Sequence, residues 1–464
     1  MADGIGLEHR AAPVIRRPTT DRARIRNGDS SERKKHFYIS VRTKFIISTF
    51  AACCWFGFSL WISLPWIAGL GEVVGTTAAV IIILFVALIP GFLVCHLLFS
   101  LLLDDPPVLN LDIEYPPITL LMAAYNEADN VSETLRGIKG LDYPGQIEVI
   151  VVDDGSTDGT VETLRSFGFR NLRIIQAEHG GKANALNVGL KEIKTEHFVS
   201  IDADTFLHPQ SLKRIMARFL SDPKATVAVA GSILEKNSRA TLMTKLQEWD
   251  YFAAIASVKR QQGLYQGALV AQGAFSAFKT ETVREVQGWP SVIGEDIVMT
   301  WALLKAGYRI GYEATAIGFT VAPTTLKGFL HQRKRWARGM IEGFKKHGDL
   351  VWKRPQFPAF FVCVDFMFPF IDSAYTFAYI PGIILAMTGR FYIVGPLTLL
   401  VLPLTFLVVF VMYWKEKKIF NVLGLKVRRN RLGVVMFVLL YQFIMSPTCV
   451  VGYVQELFGF AKSW

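Results

Sequence analysis

Residues 148–157 read Glu148-Val149-Ile150-Val151-Val152-Asp153-Asp154-Gly155-Ser156-Thr157. Four β-branched residues in a row fit a strand covered on both faces, and the Asp, Gly and Ser that follow are turn formers. The strand therefore ends on two adjacent carboxylates. Similar short apolar runs occur at 118–124, 172–176, 198–201 and 226–229, with amphipathic stretches such as 128–137 and 159–167 between several of them. This alternation predicts an open, mostly parallel α/β sheet. Ligands of such sheets bind beyond the carboxyl ends of the strands.

Outward from this block the chain becomes apolar. Its 464 residues are 51% hydrophobic and 19% charged, with a mean hydropathy of +0.32, and the apolar residues are bunched. Runs at about 45–70, 74–103, 358–388, 391–413 and 433–457 each reach the roughly 20 residues that cross a hydrocarbon core. The sequence divides into a basic arm (1–44), two membrane helices (45–104), an α/β domain (105–320), interfacial amphipathic helices (321–356) and three further membrane helices (357–464). Basic residues crowd the arm and the 414–432 loop, while the connections inside the first and second helix pairs are poor in them. The positive-inside rule then puts the arm, the α/β domain and the 414–432 loop in the cytoplasm, with the C-terminus outside. No apolar segment follows the arm at secretory-signal spacing, so the arm reads as solvated chain. The net charge of +11 fits basic loops beside anionic lipid, and nucleic acid is not an expected partner. All five cysteines lie in apolar runs without metal spacing and read as small hydrophobes.

The polar residues at the predicted strand ends make chemical sense together. Asp153 and Asp154 could clamp the base and ribose of a nucleotide, or simply form a turn. Asp202-Ala203-Asp204 follows the fourth strand, where two carboxylates could face Mg²⁺ or Mn²⁺ that completes its shell with phosphates and water. Between them, His179-Gly180-Gly181-Lys182 could bring backbone and a point charge to a phosphate, although the P-loop spacing is missing. Glu295 and Asp296 open a helical run, as caps, as a base, or both. Gln332-Arg333-Lys334-Arg335-Trp336 sits in a stretch whose apolar residues (Leu326, Phe329, Leu330, Trp336, Met340, Phe344) share one helical face, as in an interfacial helix.

In order, Ala124-Tyr125-Asn126-Glu127, Asp153-Asp154-Gly155-Ser156, Gly181-Lys182-Ala183-Asn184-Ala185-Leu186-Asn187, Asp202-Ala203-Asp204, Gly294-Glu295-Asp296 and Gln332-x-x-Arg335-Trp336 resemble the processive family 2 glycosyltransferases, the polysaccharide synthases. The resemblance covers about residues 115–345. Residues 271–279 and the short C-terminal tail look most like poly-β-1,6-N-acetylglucosamine synthases and rhizobial chitin-oligosaccharide synthases. The chain departs from cellulose synthases in leaving no room for a PilZ domain after the last run, so direct control by cyclic-di-GMP is not expected.

The resemblance implies a GT-A-like domain inserted in a helical membrane bundle of about five spans, in a bacterial inner membrane. It implies an inverting enzyme that polymerises a UDP-sugar, UDP-GlcNAc first among them, onto a growing polysaccharide beside membrane lipid. An accessory membrane or periplasmic subunit is left open. By matched position, Ala124, Asn126, Glu127, Asp153, Asp154, Lys182 and Asp202 would bind substrate, with Asp153 and Asp154 at the uridine. Asp204 with Asp202 would hold the metal. Asp296, with Glu295, would be the base. Gln332, Arg335 and Trp336 would line acceptor and diphosphate, and Gly273 opens a loop beside the acceptor sugar. Asp365, Asp372 and His96, deep in apolar runs, are expected to face a bundle interior or polymer path. The alternatives are a transferase adding one sugar to a membrane lipid, and a transporter with a nucleotide-sensing domain, against which the lack of an inverted repeat argues.

Overall fold

The structure, a computed structural model, describes residues 39–106, 108–353, 357–395, 398 and 401–461. Of the expected basic arm, residues 1–38 lie outside the described residues. Two helices open the described chain, α1 (Val41–Val74) and α2 (Thr76–Leu103), the second passing through a π-helical turn at Leu84–Leu88.

The α/β domain follows. The elements that frame the site, in order, are β1 (Ile118–Ala124), α3 (Ala128–Lys139), β2 (Ile147–Asp153), β3 (Leu172–Gln176), α4 (Lys182–Glu192), β4 (His197–Asp202), β5 (Phe206–Leu207), β6 (Thr226–Glu235), α5 (Leu242–Asp250), α6 (Val258–Leu264), β7 (Phe275–Lys279), α7 (Glu295–Lys305), β8 (Arg309–Thr320) and α8 (Leu326–His347), with further helices at Thr160–Ser166, Ser211–Ser221 and Thr280–Glu285. The strands form one sheet in the order β3-β2-β1-β4-β7-β6-β8-β5. β1 to β4, β6 and β8 run one way; β7, inserted between β4 and β6, and the short β5 run the other. The sheet is therefore mixed, with the predicted parallel part intact.

The strand sequences are continuous apolar runs because both faces are covered. Leu120, Met122, Val149 and Val151 enter one core, while Leu121, Ile150 and Val152 enter the other, as the two-residue period of a strand requires. Register sets the site: Ala124 pairs with Asp153, and Ala123 with Asp202. The carboxylate-bearing ends of β2 and β4 thus flank the end of β1.

After α8 come α9 (Phe357–Met387), α10 (Val401–Val422) and α11 (Arg431–Leu457). Among the described residues four helices are long and apolar enough to span a membrane: α1, α2, α9 and α11. Of the fifth span expected at 391–413, residues 396, 397, 399 and 400 lie outside the described residues. Residues 388–395 turn, and the helix from Val401 runs on through Lys415, Glu416, Lys417 and Lys418. Its uncharged part, 401–414, covers about 21 Å at 1.5 Å per residue, short of a core about 30 Å thick. The lower turns are drawn to the α/β domain instead, where Lys415 Nζ donates to the Asp104 carbonyl at 2.7 Å and Asp104 is ion-paired with Arg260.

Both ends of α11 are bonded to elements of the α/β domain. At its start, Asn430 Nδ2 donates to the Lys245 carbonyl of α5 at 2.7 Å. At its end, Lys345 Nζ of α8 donates to the Glu456 carbonyl at 2.5 Å, and Arg338 donates to the carbonyls of Phe460 and Ala461. Asp372, expected to face a bundle interior or polymer path, lies between α9 and α11 and clamps them: it accepts from Ser446 Oγ at 2.7 Å and Tyr453 OH at 2.8 Å. His96 is likewise turned into protein, 2.7 Å from Gln261 Nε2.

Candidate active site

Three loops are sewn together beyond β1 and β2. The Ala124 carbonyl accepts from Asp154 N at 2.9 Å. Asn126, at φ 55°, accepts from Thr157 N at 2.9 Å and donates its own N–H to Ser156 Oγ at 2.9 Å. The Asp153 carboxylate receives Ser156 N. Asp154, 2% exposed, accepts from Gly180 N and Gly181 N, one on each oxygen, both at 2.9 Å. Its carboxylate therefore shapes the loop that leads into Lys182, rather than standing free. His179 of that loop stacks on Tyr125 with ring centroids 4.4 Å apart, a flat apolar surface at the mouth of the site. A cavity of about 420 Å³ opens alongside, lined by His179, Gly180, Asn184 and Trp289.

Lys182 is the hub. It stands at the first turn of α4, and its Nζ lies 2.5 Å from Asp202 Oδ1 and 4.0 Å from Glu295 Oε1. Burial works against the ammonium, but Asp202 and Glu295 outweigh it and raise its pKa. Asp204 accepts from Thr320 Oγ1 at 3.2 Å. Its carboxyl is pushed up to about 6 by burial, then by Asp202 and Glu127. Burial, and then the charge of Asp296, pushes Glu295 up to about 7, and Glu127 is raised chiefly by burial. Glu127, Asp202, Asp204, Glu295 and Asp296 therefore share one region with Lys182 as their internal counter-charge.

Excess negative charge of this kind is what a divalent cation relieves. Among the described residues no group of three or more His, Cys, Asp or Glu side chains forms a cage. Two carboxylates with room for phosphate and water is the donor set that Mg²⁺ accepts, and Mn²⁺ suits the same oxygens. Asp202 is engaged by Lys182, which leaves Asp204 as the better donor.

The opposite wall is made of helices. Gly294, just before α7, touches Gly339 of α8: a Cβ on Gly294 would lie 2.5 Å from the Gly339 Cα. The N–H of Gly294 donates to Glu342 Oε2 at 2.8 Å, which ties α8 to the start of the helix that carries Glu295 and Asp296. Asp296 Oδ1 accepts from Ile297 N at 2.8 Å. On α8, Trp336 is covered by the fully buried Arg333, whose guanidinium carbon is 3.9 Å from the ring centroid, and Arg333 is ion-paired with Asp250. Gly273 closes the gap between the walls: a Cβ there would come 3.1 Å from Lys182 Nζ and 3.8 Å from Asp202 Oδ1.

The geometry thus links Asp154, through the 180–182 loop, to Asp202, Glu295 and Asp296. It does not bring Arg335 or Gln332 into contact with them: Arg335 is exposed, and Gln332 Oε1 is buried without a partner among the described residues. The sequence reading missed the Tyr125–His179 stack, Thr320, the Arg333–Asp250 pair and Glu342. An aromatic beside a glycine pair, and a third basic residue within the α8 motif, were available signals. Thr320 and Glu342 carry no local mark.

Residues 116–339 match the model of the family described as Glycosyltransferase like family 2. A poly-beta-1,6-N-acetyl-D-glucosamine synthase of Staphylococcus aureus is 34% identical over 266 residues, 57% of this chain and 64% of the relative. The synthase of Staphylococcus epidermidis is 34% identical over 225 residues, 48% of this chain and 54% of the relative. The chain therefore spans less than two thirds of the curated relatives it matches. Among solved structures, the mannosyltransferase PcManGT from Pyrobaculum calidifontis, in complex with GDP-Man and Mn²⁺, superposes with a TM-score of 0.55 at 21% identity, covering 82% of this chain and 99% of that one. That likeness is one of fold: a GT-A-like mixed sheet.

Proposed function

We propose that this chain, which carries a glycosyltransferase family 2 domain, is a membrane-embedded, inverting transferase that polymerises UDP-GlcNAc into a β-linked polysaccharide. One observation carries the reading. Lys182 pairs with Asp202 at the end of β4 and reaches Glu295, the neighbour of Asp296, which joins a donor-side carboxylate to a base in one ion-paired unit. The 34% identity to poly-beta-1,6-N-acetyl-D-glucosamine synthases supports the choice of sugar.

In this reading the uracil ring packs at the Tyr125–His179 stack, near Asp153 and Asp154. Asp296 accepts the proton of the acceptor hydroxyl as that oxygen attacks C1 of the donor sugar. The C1–O bond to the β-phosphate breaks as the new glycosidic bond forms, and a single displacement on an α-linked donor leaves a β-linkage. Lys182 stabilises charge developing on the departing UDP, in a site partly closed to water. Asp204, with Asp202, would hold Mg²⁺ or Mn²⁺, which supplies further neutralisation of the diphosphate. Gln332, Arg335 and Trp336 form the acceptor wall, with Arg335 reaching the site on substrate binding. The basic residues within 414–432 favour a cytoplasmic catalytic domain, and polymer leaves along the helices.

The test is a purified-protein assay offering UDP-GlcNAc or UDP-glucose with Mg²⁺ or Mn²⁺, followed by sizing and linkage-specific digestion of the product. A long water-soluble β-linked chain is expected from UDP-GlcNAc. A single sugar on lipid would replace this reading with the lipid transferase.

A further inference from the structure

The helix that carries Asp296 is joined to the donor end of the sheet by a short run of hydrogen bonds. Thr300, one turn beyond Asp296 on α7 and fully buried, donates Oγ1–H to the Asp296 carbonyl at 2.6 Å and accepts from Ala271 N at 3.0 Å. Two residues past Ala271, the Gly273 carbonyl accepts from Ser200 Oγ of β4 at 3.0 Å. Ser200 stands two residues before Asp202 on the same strand. Between Ala271 and Gly273, Gln272 Nε2 donates to the Gly231 carbonyl of β6 at 2.6 Å. The 271–273 segment is thus held by β4, β6 and α7, and its tie to α7 is the Thr300 hydroxyl.

A threonine that bonds back to the carbonyl four residues earlier is ordinary in a helix and by itself links nothing. Here the hydroxyl spends its one hydrogen on Asp296 and offers a lone pair to Ala271 N, so both of its roles are in use. Ala271 and Thr300 are each fully buried, and bulk water cannot stand in for the hydroxyl. Without it the Ala271 N–H would be left unpaired in the interior, a state that folds avoid by shifting the backbone. Such a shift reaches the reacting groups directly. A Cβ on Gly273 would lie 3.1 Å from Lys182 Nζ and 3.8 Å from Asp202 Oδ1, so the segment has little slack against the donor side.

We propose that Thr300 is a positioning residue for the base: bonded to both Asp296 and Ala271, its hydroxyl sets α7 in register with the 271–273 segment and, through Ser200, with the strand that ends on Asp202. The inference rests on the transferase reading above. It is tested with the full chain in detergent, measuring UDP release and polymer from UDP-GlcNAc with Mg²⁺, UDP-GlcNAc binding by calorimetry, and Tm. Thr300→Val keeps the side-chain shape and removes the hydroxyl. It is expected to lower kcat about ten- to a hundredfold, the cost of a reacting group displaced by up to about 1 Å, with donor Kd unchanged. Thr300→Ser keeps the oxygen and is expected to return most of the lost rate. Thr300→Ala removes the same oxygen with less bulk and carries the same expectation as Val should the valine chain not fold. Wild-type kcat in a folded Val or Ala chain overturns this inference alone. So does a Ser chain as slow as the removal variant, or a loss of donor affinity equal to the loss of kcat. A wild-type chain that turns over no UDP-GlcNAc overturns the transferase reading and this inference with it.

Discussion

The two walls of the site, donor and acceptor in the function proposed above, hold their residues in place by different means. On the donor wall, Asp153, Asp154, Asp202 and Asp204 sit at or just beyond strand ends, and each has a partner within the sheet or its adjoining loops. On the acceptor wall, Asp296 depends on a crossing between α7 and α8, while Trp336 depends on Arg333, Asp250 and, through Asp250, on Tyr441 of α11, whose hydroxyl donates at 2.6 Å. The first wall is set by neighbours in the sheet. The second is set by helices far apart in sequence, one of them apolar enough for a membrane. A donor site of the first kind is preformed. An acceptor site of the second kind answers to how the helices are packed.

Substitutions can break this division. The largest effect is expected from Asp296→Asn, which should cut polymer formation by about a hundred- to ten-thousand-fold while UDP-sugar binding stays; near wild-type polymer would remove Asp296 from its role. Next, Lys182→Met leaves Asp202 and Glu295 uncompensated and should lower kcat by about a hundredfold or more and weaken donor binding as well, measured by UDP release and calorimetry. Gly339→Leu drives a side chain into Gly294, whose Cα would lie 2.8 Å from the new Cβ. Overpacking of this kind costs about 1–3 kcal/mol, so a lower Tm is expected, with transfer falling more than donor binding. If both fall alike, the two walls are one.

The smallest effect is electrostatic. Glu295 holds its proton to about pH 7 in the fold against 4.5 as its ordinary value. Its contribution to stability is therefore full below 4.5 and lost as pH rises through 7. Glu295→Gln should flatten the fall in Tm between pH 5 and 8, and a slope equal to wild type would count against the burial of this carboxyl.

Legibility in the sequence follows the same division. The strands and their terminal carboxylates could be read because a buried parallel strand is a local apolar run and its loop follows at once. Asp202, Asp204, Lys182 and Glu295 were named from order and spacing, and the ion pairs join three of them. Glu342 and Gly339 were not, since a contact between distant helices leaves no periodic trace. Membrane segments were found from length and hydropathy, but Lys415 to Lys418 read as a loop after a span. They are the last turns of α10, and the pull of Asp104 on Lys415 is invisible to a hydropathy window.

The touching glycines at 294 and 339 carry one more implication, for redesign. Two helices in backbone contact have no side chain between them to yield, so a push on one is delivered to the other without slack. Anyone seeking to change the saccharide that is extended should leave that crossing alone, and equally the 275–279 strand, which is buried between β4 and β6.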